Sequence, residues 1–206
     1  MNLSESLDAG LAELSLDFSD LQKTNLLSYL TLLGKWNKTY NLTAIHEPER
    51  MLTHHILDSL ALLPYIKNGA LLDVGSGGGF PGIPLAIARP DIAVTVLDAS
   101  QKKCGFMQQA AIELRLTNVS VVHSRVEAFQ PTEKFMQIVS RAFSELAEFV
   151  RLSGHLLAPG GHWLAMKGVH PDAEIAQLKT ARVQHDLSLR VPGLNAERCL
   201  IIMDAV

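Results

Sequence analysis

Residues 71–88 constrain the fold more than any other segment. A short apolar run, Leu71-Leu-Asp-Val74, gives way to Gly75-Ser-Gly-Gly-Gly79 and then to Phe80-Pro-Gly-Ile-Pro-Leu-Ala-Ile-Ala88. Glycine adopts backbone angles closed to other residues and lets main-chain amides come close to a ligand. The run before the glycines predicts a buried strand, and the run after them predicts a helix whose N-terminus faces the loop. Gly77, Gly79 and Gly82 satisfy G-x-G-x-x-G, a weak pattern alone. Its context strengthens it. The next strand-like run, Ile92-Ala-Val-Thr-Val-Leu-Asp98, ends in an acid where two ribose hydroxyls can be held.

The alternation continues. Ser100 opens a predicted helix through about Leu116. VSVVHS and FMQIVS predict strands, SELAEFVRLSGHLL a helix, GHWLAMKG a strand and PDAEIAQLK a helix. VQHDLSLRVPGLNAERCLIIM predicts two strands joined by a Pro-Gly turn, an antiparallel hairpin on the edge of the sheet. Such alternation implies a mostly parallel sheet with helices on both faces. Residues 1–66 read differently. Leu26, Leu30 and Leu33 recur at helical spacing, Ser19 or Asp20 can cap that helix, and Pro48 can begin another. The expected organisation is a helical extension over 1–66 packed on a single α/β unit over 67–206.

Composition narrows the function classes. The net charge of −3 argues against broad nonspecific nucleic-acid binding, so any RNA contact must rest on a local basic patch. Cys104 and Cys199 are the only cysteines; they form no C-x-x-C pair and suit a reducing compartment. The N-terminus lacks a signal-peptide pattern, and no apolar run reaches the ~18 residues of a membrane span. A cytoplasmic monomer with no membrane contact is expected.

Two cofactors suit the loop. A dinucleotide places a pyrophosphate on helix-terminal amides, where Asp73 would be unwelcome. S-adenosylmethionine has no phosphate and carries an ammonium and a sulfonium, which a carboxylate at Asp73 attracts. No Tyr-x-x-x-Lys pair follows Tyr29, Tyr40 or Tyr65, and no second substrate domain is present. S-adenosylmethionine is the better fit, and Asp73, Gly77 and Asp98 are its expected binding residues.

Several ordered motifs are more specific than the glycines: KWNKTYNLTAI at 35–45, HHILDSL at 54–60, LLDVGSGGGFPGIPLAIARP at 71–90, VLDAS at 96–100, SRVEAF at 124–129 and VSRAF at 139–143. In this set, over nearly its whole length, the chain resembles the bacterial 16S ribosomal RNA methyltransferase G family (RsmG, also called GidB). The resemblance implies a class I S-adenosylmethionine-dependent methyltransferase fold, Rossmann-like, preceded by helices. It implies methylation of guanine N7 in a hairpin loop of 16S rRNA near the decoding site. By position it gives Gly75 and Phe80 as cofactor contacts, Asp98 as the ribose ligand, Val126 and Glu127 as adenine-side contacts, and Arg141 as an arginine of the pocket. At His54 the chain departs from the basic residue expected there.

Other residues carry weaker signals. His54, His55 and Asp58 share neighbouring helix faces, but no further ligand is nearby and the chemistry needs no metal; packing beside the cofactor pocket is the favoured reading. Lys35, Trp36, Lys38, Tyr40 and Asn41 interleave charge and rings as an RNA-stacking surface does. Trp36 continues the leucine stripe, which favours core packing with solvated lysines. Arg125, Arg141 and Lys167 each fall at or beyond the C-terminal end of a predicted strand, the edge where open α/β sheets bind ligands. They are the candidate substrate-orienting residues, holding guanine O6 or flanking phosphates of 16S rRNA or the assembling small subunit. No general base is expected. The alternatives are a small-molecule methyltransferase and a noncatalytic dinucleotide-binding module.

Overall fold

The computed structural model describes residues 2–141, 143 and 145–206. Seven strands form one sheet: β1 (Leu71–Val74), β2 (Val94–Asp98), β3 (Val119–His123), β4 (Phe135–Ser140), β5 (Leu157–Lys167), β6 (Ala181–Ser188) and β7 (Cys199–Ala205), in the order β3-β2-β1-β4-β5-β7-β6. Strands β3, β2, β1, β4 and β5 run parallel, while β7 is antiparallel to β5 and to β6. The connection order reverses between β1 and β4, so a crevice is expected outside their C-terminal ends. Ser140 Oγ closes its floor by donating to the Val74 carbonyl at 2.7 Å.

Helices cover both faces. On one lie α1 (Leu3–Glu13), α2 (Asp20–Tyr40), α5 (Gly82–Ala88) and α6 (Gln101–Glu113). Leu7, Leu26, Leu33, Ile83 and Phe106 share a buried cluster there with Leu71 and Val96. The helical periodicity of the N-terminal leucines therefore ends in the same core as the sheet. Both N-terminal helices begin in capping boxes, Asn2 with Glu5 and Ser19 with Gln22. Gln22 also donates to the Ile87 and Ala88 carbonyls, satisfying the last turn of α5. On the other face, α7 (Leu146–Ser153) and α8 (Asp172–Gln177) cover Ile138, Trp163 and Ile201.

Three local expectations need correction: the turn of the C-terminal hairpin and two helices. The hairpin itself forms the expected antiparallel edge of the sheet, with β7 beside β5 and β6 outermost. Its residues explain this, since Leu200, Ile201 and Met203 are fully buried whereas β6 alternates with exposed positions. The Pro192-Gly193 turn exists, with Leu194 N–H on the Val191 carbonyl at 3.1 Å, but it lies inside a longer loop, 189–198. The helix from Pro48 is also not regular. Residues Pro48–Met51 (α3) and Asp58–Leu60 (α4) flank a π-helical turn over Leu52–Leu57. Finally, the helix expected over 144–157 stops at Ser153, and Leu157 already belongs to β5; its proposed start, Ser144, lies outside the described residues.

Candidate functional site

Parallel strands put the ends of β1, β2, β3, β4 and β5 on one edge, and the candidate residues with them. After β1 the chain turns through Gly75, Gly77 and Gly79, all with positive φ (70°, 60° and 84°). Side chains at these positions would be strained. Gly75 N–H and Ser76 N–H donate to the Leu97 carbonyl at 2.8 and 3.0 Å, which ties the loop to the end of β2. Asp98 completes the tie: Oδ2 accepts from Gly77 N–H at 2.9 Å and Oδ1 from Ser100 N–H at 2.8 Å. Each oxygen keeps a lone pair for a further donor.

Asp73 is entirely buried. Its Oδ2 accepts from Gly82 N–H at 2.8 Å, and Oδ1 has no partner among the described residues. A Cβ at Gly82 would fall 2.8 Å from Oδ2 and 2.5 Å from Val96 Cγ1, so only glycine fits under this carboxylate. Burial pushes the Asp73 carboxyl up to about 7, against the Gly82 amide and the Arg141 charge, which lower it. An unpartnered buried carboxylate oxygen beside a glycine cradle fits a ligand that brings a cation and no phosphate. S-adenosylmethionine is such a ligand, and a pyrophosphate is not.

Phe80 links this loop to the N-terminal helices. Its ring stacks on His55 at 4.6 Å, meets Tyr29 at 5.4 Å and lies 5.3 Å beneath the Arg141 guanidinium. Tyr29, fully buried on α2, donates its hydroxyl to the Gly78 carbonyl. The tyrosine sits on the leucine stripe at helical spacing, so its position was legible while its partner was not. Tyr29→Phe leaves that carbonyl unsatisfied in the core. It should cost about 1–3 kcal/mol, lowering the midpoint of thermal unfolding by a few degrees; an unchanged melting curve would show the bond to be idle.

His55 Nδ1–H donates to the His54 carbonyl at 3.1 Å, and Nε2 accepts from Thr43 Oγ at 2.8 Å. Both ring nitrogens are therefore engaged. Burial, with Arg141 nearby, drives its pKa down to about 4, so the ring is neutral at pH 7 and packs as an aromatic.

Beside Phe80 opens a cavity of about 400 Å³ lined by Ile45, His54, His55, Asp58, Arg141, Met166, Lys167, Gly168 and Arg198. Arg141 follows β4 and Lys167 ends β5, so these two candidates meet here. Lys167 Nζ sits on Glu174 at 2.8 and 3.0 Å. Glu174 also accepts from Leu146 N–H at 2.7 Å, capping α7. Arg125 does not join them. It precedes the short 3₁₀ turn Val126–Ala128 after β3 and is exposed. β3 lies four strands from β5, roughly 19 Å at ordinary strand spacing, so Arg125, Arg141 and Lys167 are not one cluster. Val126 is buried and Glu127 exposed on that same turn. Arg198, just before β7, is a cavity residue that the sequence does not point to; nothing local marks it, because its neighbours come from distant segments.

Trp36 packs on Phe106 at 5.7 Å and on Tyr40 at 5.1 Å, with Lys35 and Lys38 exposed. Asn37, 1% exposed, accepts from Thr43 N–H and donates to the Ile45 carbonyl, holding the turn after α2. Among the described residues no group of three His, Cys, Asp or Glu side chains converges as metal ligands.

A family model described as rRNA small subunit methyltransferase G matches residues 22–201. The chain belongs to this family. Relatives agree over nearly full length. "Ribosomal RNA small subunit methyltransferase G" of Laribacter hongkongensis is 60% identical over 98% of both chains. The protein of that name from Chromobacterium violaceum is 55% identical over 96% of this chain and 95% of its own. Among solved structures, a SAM-dependent methyltransferase from Thiobacillus denitrificans in complex with S-adenosyl-L-homocysteine superposes with a TM-score of 0.53. It is 14% identical and covers 85% of this chain and 98% of its own. At that identity the likeness establishes the fold, a class I methyltransferase sheet. In this family member the glycine loop and the cavity sit side by side across the β1/β4 reversal.

Proposed function

We propose that this chain transfers a methyl group from S-adenosylmethionine to N7 of a guanine in 16S rRNA. Family membership supplies the substrate class. The observation that carries the chemistry is a cavity beside the cofactor loop with cations in its wall and no obvious base. His55 has both nitrogens engaged, Asp58 is held by two arginines, and Asp73 does not line the cavity. Guanine N7 offers its lone pair in the ring plane without losing a proton, so the protein needs to orient rather than deprotonate. The bound cofactor supplies an electrophilic methyl on its sulfonium.

In this reading Asp73, Gly75, Gly77, Phe80, Asp98, Val126 and Glu127 hold the cofactor. Arg141 spans both sites: it lies over Phe80 and lines the cavity. Arg141 and Lys167 orient the guanine through O6 or its flanking phosphates, the edge that arginine commonly reads. Arg125, on the far side of the cofactor loop, serves the flanking RNA. The guanine must leave its stack to enter. Residues 1–66 act as an extension of the 67–206 unit, and the enzyme works as a cytoplasmic monomer on 16S rRNA or the assembling small subunit. No helix among the described residues is long and apolar enough to cross a membrane.

Labelled methyl transfer to 16S rRNA, followed by mapping of the modified base, tests this reading. Transfer to a small molecule instead, or dinucleotide binding without transfer, would replace it. The pH profile tests the acceptor atom. Single-turnover transfer under saturating RNA and cofactor should be nearly flat from about pH 7 to 9, above the reference histidine range. A tenfold rise per pH unit would mean an acceptor that must lose a proton, such as guanine N1 or a hydroxyl.

A further inference from the structure

Asp58 is only 2% exposed, yet its carboxylate holds two arginines from distant parts of the chain. Oδ2 accepts from Arg141 Nη1 at 2.8 Å and Oδ1 from Arg198 Nε at 2.9 Å. Arg141 Nη1 also donates to the His54 carbonyl at 3.2 Å, and Arg198 Nη1 to the Glu197 carbonyl at 2.9 Å. The backbone of the π-helical turn and of the β7 approach thus fixes both guanidiniums. Each arginine side chain remains 23% exposed and lines the cavity. Among the described residues nothing takes Arg141 Nε or Nη2, or Arg198 Nη2.

The charges point to what would take them. Two guanidiniums share one carboxylate, which leaves one positive charge in the cavity wall. Lys167 is met by Glu174, and the His55 ring facing Phe80 is neutral at pH 7. One uncompensated charge with several N–H donors matches one phosphodiester, which guanidinium recognises with two oxygens at once. Guanine O6 is a neutral acceptor and leaves that charge uncancelled. We propose that Asp58 is a positioning residue that presents Arg141 and Arg198 together as a receptor for a single RNA phosphate beside the target nucleotide. This rests on the rRNA reading above.

The sign of one substitution separates this role from simple electrostatics. Asp58→Asn makes the protein more basic, so a generic field effect would tighten RNA binding. A positioning role weakens it, because the arginines lose the carboxylate that aligns them. The measurement is equilibrium binding of 16S rRNA across a salt series, with cofactor affinity determined in parallel by calorimetry. Asp58→Asn should bind RNA about tenfold more weakly. Arg198→Gln should lower the slope of log K against log salt by about 0.7, the share of one phosphate on a single strand, while cofactor affinity stays within about twofold. RNA binding by Asp58→Asn that is equal to or tighter than wild type would overturn the proposal. So would an unchanged salt slope for Arg198→Gln, which alone decides the matter if Asp58→Asn fails to fold. Weaker binding by Arg198→Gln at constant slope would indicate base reading and also overturn it. A wild-type protein that methylates no rRNA would instead defeat the wider reading.

Discussion

Asp98→Ala is expected to weaken S-adenosylmethionine binding by about 1–3 kcal/mol, roughly a 5- to 150-fold rise in Kd. Two losses combine. The proposed acceptors for the ribose hydroxyls disappear. So do the bonds to Gly77 N–H and Ser100 N–H, at 2.9 and 2.8 Å, which set the loop and the start of α6. A cofactor analogue lacking the ribose hydroxyls separates them. If Asp98 holds the ribose, the substitution and the deoxy change each weaken binding, and together they weaken it by less than their sum. Full additivity would assign Asp98 to loop shape alone. An unchanged Kd for Asp98→Ala would remove it from the cofactor site.

What the sequence made legible here is what is local. Leu71–Val74, five glycines within eight positions and an apolar helix announce a strand, turn and helix within eighteen residues, and β1, the loop and α5 are that unit. The same holds for Asp98, whose place at the end of β2 follows from a β-branched run stopping there. Strand order is not local. Arg125 and Lys167 both stand near strand ends, but only pairing shows that β3 and β5 lie on opposite sides of β1. The insertion of β7 between β5 and β6 is hidden for the same reason, since a hairpin reads alike whichever strand is outermost.

Side-chain networks are less legible still. Asp58 was visible as an acid near two histidines, and its i, i+3 spacing from His55 suggested shared packing. Its partners Arg141 and Arg198 lie 83 and 140 residues away. The π-helical turn likewise has no Gly or Pro to announce it; the segment reads as ordinary helix. Ser59 Oγ donating to the His55 carbonyl at 2.5 Å is one side-chain bond that competes with regular helical pairing there. Functional sites concentrate such departures.

Asp73 provides the larger effect of pH. Its carboxyl is buried, and burial outweighs the Gly82 amide and the Arg141 charge, holding the pKa at about 7. Nearby Asp98 adds to the rise, and Tyr29, pushed well above 10 by burial, stays neutral throughout. In the cofactor-free protein the group is therefore protonated below about pH 7. A cationic ligand favours the ionised carboxylate, so binding below pH 7 must expel the proton. Cofactor affinity should fall as the pH drops below about 7.5, by about 25-fold between pH 7.5 and 5.5 for a pKa of 7. The ligand's own amino group titrates near 8 and is mostly protonated across that window. Folding stability has the opposite slope with pH. An acid whose pKa is raised on folding contributes stability below its unfolded value of about 4 and loses it as the pH rises toward 7, by up to about 4 kcal/mol. Asp73→Asn abolishes both slopes: its cofactor affinity should be low and flat from pH 5.5 to 7.5, and its melting temperature should gain on wild type as the pH rises. Calorimetry and thermal denaturation at matched pH values give both readings. Wild-type affinity that stays constant across the window would mean that Asp73 does not change its protonation when the cofactor binds.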